Sequence, residues 1–459
     1  MSKQSSSLHS TLAENVFNME ELKMPAREFR VEDKDPALQP KQQNALEDLA
    51  NCKGRLQVFY PKSGRSIYAQ FSKTADYPIP AFKMKGVAGL SKDSISGEWS
   101  LQACRPDKKY CLKSQAHFKL DEELNVGVSF SAPKALYSLT AQGAKNEYEC
   151  QGLLAKEDLG FRPLMYGKYI SSNTQNTLLD VNGNQIGAVF LGHDSHVTAL
   201  TPHILFVLLE DTRGLQTLLP HNGKLALTYA DPHSLIENYL EILSRTAFLK
   251  RNAALHSGVM RHASQPDNFL YDSLRDKIYI SDTDSCIKSA ELSVAMRGPQ
   301  MLRDLSADIK TSVMNLSYFS YSNYYLREVE NSSIKPFHAY LLSFFKDLSE
   351  ESVINDHADR LHEQYLKFLN KTEYTLSALS AQLRKGILSG KFDIKEIHIR
   401  ETWQYQHAEF LSDCLDTCYL LMSESTLYKR RFTLPKLSEG QRKKRFKLGI
   451  AQYREALIC

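Results

Sequence analysis

No Cys-x-x-Cys pair occurs in this chain. Its eight cysteines, Cys52, Cys104, Cys111, Cys150, Cys286, Cys414, Cys418 and Cys459, are scattered over 459 residues, which argues against a thiolate metal site and for a reducing compartment. Long apolar runs are missing as well: the best, residues 204–209, falls far short of the roughly 20 residues that span a bilayer. The opening Met-Ser-Lys-Gln-Ser-Ser-Ser carries no apolar core for secretion. These absences set the expectation of an intracellular, cytoplasmic protein with no transmembrane segment. There is no Gly-x-x-x-x-Gly-Lys-Ser/Thr phosphate loop, no Gly-x-Ser-x-Gly elbow and no repeat of solenoid period, which removes several common enzyme and scaffold classes. Charge of one sign does not dominate either. With 57 Lys+Arg against 53 Asp+Glu the net charge is +4, so bulk electrostatics demand no nucleic-acid or membrane partner.

What is present is enough apolar residue, 42% against 24% charged, to bury a core of two or three structural units. The chain changes character along its length. Residues 1–50 are polar, interrupted by Pro25, Pro36 and Pro40, and read as an extension that wraps or stays mobile. Residues 51–211 are strand-like, with runs at 56–60, 66–71, 79–85, 185–190 and 204–209 separated by turn residues. One helix interrupts them at 146–159, where Tyr148, Gly152, Leu153 and Lys156 fall on one face and Gly160 marks an end. Residues 212–459 turn helical: 232–252 carries a stripe of Leu235, Tyr239, Leu240, Ile242, Leu243 and Phe248. Two further helices are expected within 354–383.

The chemistry concentrates in residues 256–285. There Asp267-Asn268 precedes two short apolar strands, 269–271 and 277–280, joined by a polar turn, and Asp282-Thr283-Asp284 follows. A hairpin returns the chain, so Asn268 and Asp282 are expected at its open end, within reach of one cation. Magnesium takes oxygen ligands and needs only one or two from the protein when nucleotide phosphates supply others.

Three motifs in order resemble selenoprotein O, a branch of the protein-kinase-like fold that transfers AMP from ATP. They are Lys85-Gly86-Val87-Ala88-Gly89 after a strand, Glu147-Tyr148 running to Leu159-Gly160-Phe161-Arg162-Pro163, and His256-Ser257-Gly258-Val259-Met260 followed, after an insertion, by Asp267-Asn268. The resemblance touches about 85–285 and leaves the carboxy-terminal third unmatched. It implies an α+β fold of the atypical kinase-like, bilobal kind: an amino-terminal lobe over 51–211, and a helical carboxy-terminal lobe over 212–459 with an extra helical region. It also implies ATP with Mg²⁺ or Mn²⁺, and transfer of AMP or phosphate to a hydroxyl of a protein or small molecule. On it, Lys85 and Gly86 hold the phosphates and Glu147 orients the lysine, with Glu149 as a substitute. Asn268, Asp282 and Asp284 bind metal, and Asp267 is the base. Lys83 lies two residues before Lys85, on the same strand face.

One departure weakens the phosphoryl-transfer reading. Protein kinases place a base Asp five residues before the metal-binding Asn, and here that position is Ala263, with His262 beside it. A catalytically inactive pseudokinase that works as a binding protein is therefore the alternative. Elsewhere, Gly192-His193-Asp194-Ser195-His196 reads as a polar turn rather than a metal site, Cys414 and Cys418 as core packing, and His357 and His362 as too poorly aligned for zinc. A basic tail over 429–447, with Lys429-Arg430-Arg431 and Arg442-Lys443-Lys444-Arg445, is a candidate surface for an anionic partner.

Overall fold

The computed structural model describes residues 16–22, 24, 26–60, 64–70, 81–92, 99–103, 111–112, 116–130, 134–135, 138–193, 197–199, 232–262, 268–272, 275–320, 336–348, 350–365, 367 and 402–447. The fold mixes helix and sheet. Its centre is a nine-stranded antiparallel sheet, ordered Val16–Asn18, Arg55–Tyr60, Gly64–Gln70, Ala81–Lys92, Ile186–His193, Arg162–Ser171, Arg27–Lys34, with Leu139–Thr140 and Trp99–Ala103 pairing off this path.

The strand Ala81–Lys92, here the lysine strand, lies mid-sheet, and its alternation explains its two faces. Phe82 and Met84 enter a core with Leu46 and Leu49 of the helix Pro40–Ala50, whereas Ala81 joins a second core with Ala144, Phe161, Val189 and Leu270. Lys83 and Lys85 share the face of Ala81, because successive side chains of a strand point to opposite sides. The strand expected to stop at Lys85 continues through Lys92. At Gly86 the backbone turns to φ +87°, and a Cβ there would lie 2.3 Å from the Gly187 carbonyl oxygen. The pairing with Gly64–Gln70 shifts register between Lys85 and Leu90.

Of the polar amino-terminal stretch, Val16–Asn18 and Arg27–Lys34 are built into this sheet. Arg27–Lys34 forms its edge against Arg162–Ser171, and Arg27 sits over the Tyr169 ring, 4.2 Å from its centroid, while donating to the Val87 carbonyl. Its polarity reflects an edge strand with one solvated side, not a lack of packing. The helix Ala141–Lys156, here the glutamate helix, covers the other face. It starts earlier than the apolar pattern indicates because Thr140 caps it, its hydroxyl accepting the Gly143 N–H at 2.9 Å.

The helical part centres on Val294–Ser320, which packs on Thr402–Glu424, while Pro232–Asn252 packs on Pro336–Phe344. Cys414 and Cys418 lie in its core, as do Ile354, Ala358, Leu361 and Tyr365 of the helix at 351–365. The rest of the helical span expected to 383, and the apolar run 204–209, lie outside the described residues. A hairpin of Ala116–Leu120 and Val126–Phe130 sends Phe118, Leu120, Leu124 and Val126 into this helical core, although it belongs by sequence to the strand-rich part. Among the described residues no helix is long and apolar enough to cross a membrane.

Candidate functional site

Three distant segments converge on one buried ion cluster. The Glu147 carboxylate takes one ammonium on each oxygen: Oε1 lies 2.5 Å from Lys83 Nζ and Oε2 2.5 Å from Lys85 Nζ. Lys85 also pairs with Asp282 Oδ1 and lies 3.3 Å from Asp284 Oδ2. Lys83 donates to Ser281 Oγ at 3.2 Å, which lies 3.2 Å from the Tyr68 hydroxyl. Both lysines and Glu147 are fully buried, whereas the Asp282 side chain keeps 24% of its exposure. The cluster therefore opens to solvent at Asp282. Charges removed from water this completely persist only when paired.

The glutamate helix aims Glu147 inward through an unexpected face. Its buried residues are Ala144, Glu147, Cys150, Gln151 and Leu154, a stripe at spacings of three and four that is partly polar. The Tyr148 face expected to be apolar is only half-buried, with the Tyr148 ring 4.9 Å from that of Tyr166. Glu147 thus stands in the second turn, not at the opening of the helix. Glu149, the substitute, turns away to pair with Lys145 at 3.8 Å and with Lys288.

The acidic loop is fastened to the same helix. The hairpin Phe269–Asp272 with Lys277–Ile280 pairs Phe269 with Ile280, and the Ser281 N–H donates to the Asn268 carbonyl at 2.8 Å, so Asn268 and Ser281 close the open end. Asp282 then adopts φ 60°, a left-handed conformation that Asp tolerates better than most residues. The Asn146 side-chain amide donates to the carbonyls of Cys286 at 2.7 Å and Asp284 at 3.1 Å. Gln151 donates to the Ile280 carbonyl at 3.2 Å and accepts the Phe161 N–H at 2.7 Å. Neither Asn146 nor Gln151 stands out in the sequence; Gln151 is marked only by its offset of four residues from Glu147, which puts the two on one face.

The preceding loop is pinned too. Gly258, at φ 67°, ends the turn Ala253–Ser257, and the Arg261 N–H donates to Asp304 at 2.5 Å. His262 Nε2 lies 2.7 Å from the Ser281 carbonyl. A carbonyl only accepts, so Nε2 carries the proton. Burial first, then the Lys250 ammonium, pushes its pKa down to about 3, so the ring is neutral and serves as a strut. Burial also raises the Cys150 thiol to about 12 and the Cys286 thiol well above its usual range, which leaves both unreactive.

Of the expected site residues, Lys85, Glu147, Asp282 and Asp284 come together and Asn268 is buried at the hairpin end. Asp267 lies outside the described residues, as does Ala263. Gly86 is occupied in close packing against Gly187 rather than in a loop. His193, expected in a polar turn, is a buried strand residue with its ring 5.5 Å from those of Tyr68 and Phe161. Among the described residues no three His, Cys, Asp or Glu side chains form a metal site on their own. The two carboxylates Asp282 and Asp284 still suit a magnesium ion that takes its other oxygens from phosphate and water.

The basic tail is partly consumed by the fold. Arg431 donates to the Leu255 carbonyl at 2.8 Å, Arg442 pairs with Asp416 at 2.6 Å, Arg445 donates to the Glu123 carbonyl, and Phe432 and Phe446 are core residues. Lys429, Arg430, Lys436, Lys444 and Lys447 remain exposed.

No protein-family signature matches this chain, and no curated protein matches it. Among solved structures it is similar to ROP2 from Toxoplasma gondii, described as a virulence factor with a protein-kinase fold and no enzymatic activity. The identity is 11%, the TM-score 0.28, and the match covers 74% of this chain and 87% of that one. A likeness this distant fixes neither family nor site chemistry.

Proposed function

We propose that this chain is an atypical kinase-like protein whose buried ion cluster is the floor of a nucleotide site, and that it transfers AMP or phosphate from ATP to a hydroxyl of a protein or small molecule. The observation that carries the reading is the triple contact of Lys85 with Glu147, Asp282 and Asp284. A strand lysine oriented by a helix glutamate, beside acids that follow a hairpin, is the arrangement that phosphoryl and nucleotidyl transfer needs: a fixed cation for phosphate oxygens and hard oxygen ligands for a divalent ion.

In this reading Lys85 turns from Asp282 and Asp284 to neutralise phosphate, while Glu147 keeps its ammonium on course. Asp282, Asp284 and Asn268 would hold Mg²⁺ or Mn²⁺, which when bound neutralises charge on the phosphates. Asp267 would accept the proton of the attacking hydroxyl. AMP transfer rests on the selenoprotein O resemblance. The test is incubation with α-labelled and with γ-labelled ATP: label retained only from α means AMP transfer, and only from γ means phosphorylation.

A second reading, an inactive pseudokinase that presents a binding surface, is favoured by Ala263 at the position of the base. It predicts no retained label from either nucleotide and a cellular activity that survives Asp282→Ala. The exposed lysines of the tail would then be the contact for an anionic partner, weakened by salt.

A further inference from the structure

Glu147 holds two ammoniums where one would satisfy it, and the two lysines are not equivalent. Lys85 reaches Asp282, which is partly exposed at the edge of the cluster. Lys83 is enclosed: it, Glu147, Ser281 and Tyr68 all have zero exposure, and they form a chain from the Tyr68 hydroxyl through Ser281 Oγ and Lys83 Nζ to Glu147 Oε1. Burying a second ammonium is unfavourable unless it is fully paired. Glu147 and Ser281, which Lys83 contacts, are fully buried, whereas Lys85 reaches a carboxylate at the solvent edge.

We infer that Lys83 is a positioning residue that keeps Glu147, and with it the glutamate helix, docked on the lysine strand whether or not Lys85 is engaged elsewhere. The pairing geometry supports the division. Without Lys85, Glu147 keeps Lys83 on Oε1, and the carboxylates that lose a cation are Asp282 and Asp284 at the edge of the cluster. Without Lys83, Glu147 depends on Lys85, which Asp282 and Asp284 also draw on, so a ligand that takes up Lys85 weakens the pairing left to Glu147 in the interior. Two lysines on one strand face thus separate the holding of the helix from the binding of phosphate. The role of Lys85 here rests on the proposed nucleotide site; the role of Lys83 does not.

The test is hydrogen exchange of the nucleotide-free full chain, comparing wild type with Lys83→Met and Lys85→Met, read in residues 141–156. Lys83→Met is expected to accelerate exchange there ~tenfold, since a segment opens more often once the pairing that holds it down is removed, while Lys85→Met changes it less than ~twofold. Equal acceleration by both variants, or acceleration spread evenly over the strands Arg162–Ser171 and Ile186–His193, overturns the assignment. If Lys83→Met does not fold, Ser281→Ala removes the Ser281 contact of Lys83 and leaves its pair with Glu147 in place. Because Ser281→Ala also removes the Tyr68 contact, it is compared with Tyr68→Phe; Ser281→Ala is then expected to accelerate the same segment ~threefold beyond Tyr68→Phe, and exchange there equal in the two overturns the proposal. Separately, wild type that gains no stability from ATP with Mg²⁺ sinks the nucleotide reading and leaves the exchange comparison standing.

Discussion

Two buried lysine sites divide this molecule, and they differ in how they close. In the helical part Lys250 pairs with Asp308 and donates to the His262 carbonyl at 2.7 Å, while Tyr340 donates to the same aspartate at 3.4 Å. The side chains of Lys250 and Asp308 keep 7% and 5% of their exposure. In the sheet part, Lys83 and Lys85 face Glu147, Asp282 and Asp284, and the cluster opens at Asp282. The first site pairs one cation with one anion and seals them, which suits a cross-brace between Pro232–Asn252 and Val294–Ser320. The second has an excess carboxylate at a solvent edge, which suits a cation or a cation-bearing ligand arriving from outside. Burial and pairing alone do not mark function; uneven charge at an opening is what makes the second cluster the candidate site.

The largest effects should come from stranding charge at each site. Glu147→Gln leaves two ammoniums without their shared carboxylate and Asp308→Asn leaves one, and each is expected to cost about 3–5 kcal/mol in chemical denaturation. The comparison breaks if Asp308→Asn, when folded, also loses stabilisation by ATP with Mg²⁺; only Glu147→Gln is expected to lose it. Next in size is ligand stabilisation itself. Wild type at a hundredfold excess of ATP over its Kd should gain about 2.7 kcal/mol, and Lys85→Met should gain none, read as a shift in melting temperature.

A third measurement concerns the strut that joins the two sites, His262, placed between Lys250 and Ser281. Its pKa falls from 6.5 to about 3 on folding, so below pH 6.5 the unfolded chain binds a proton that the folded chain refuses. The stability this neutral ring contributes is complete above pH 6.5 and is lost as pH falls toward 3. Between pH 7 and pH 5 that amounts to about 2 kcal/mol. His262→Gln should flatten the acid limb of stability against pH by this amount; an unchanged limb removes His262 as its cause. The smallest effect is expected at the surface: Lys443→Ala breaks only the exposed pair with Glu439 and should leave the melting temperature unchanged, because such pairs contribute little.

Much of the site's layout was legible because it depends on local periodicity. The hairpin that brings Asn268 and Asp282 to one end follows from two apolar runs around a polar turn, and the sharing of a face by Lys83 and Lys85 follows from the strand repeat. The long helix Pro232–Asn252 matches its expected span. Other features were hidden because their signal is polar or remote. The stripe of Glu147 and Gln151 escapes a pattern that counts only apolar residues. Arg27–Lys34 reads as an extension because an edge strand needs little hydrophobicity. The hairpin at 116–130 carries no mark that its apolar residues serve the helical core, and Asn146 gains its meaning only from the carbonyls of the acidic loop.

The amino-acid sequence determined which residues can share a face and which chemistry each segment carries: lysines on a strand, acids after a hairpin, an Ala where a base would stand. Only the tertiary structure decided which partners meet. Glu147 and Glu149 are equally acidic and two residues apart, but about 200° of helical rotation separates them. Packing of the glutamate helix on Arg162–Ser171 and Ile186–His193 therefore turns Glu147 onto two lysines and leaves Glu149 to Lys145 and Lys288.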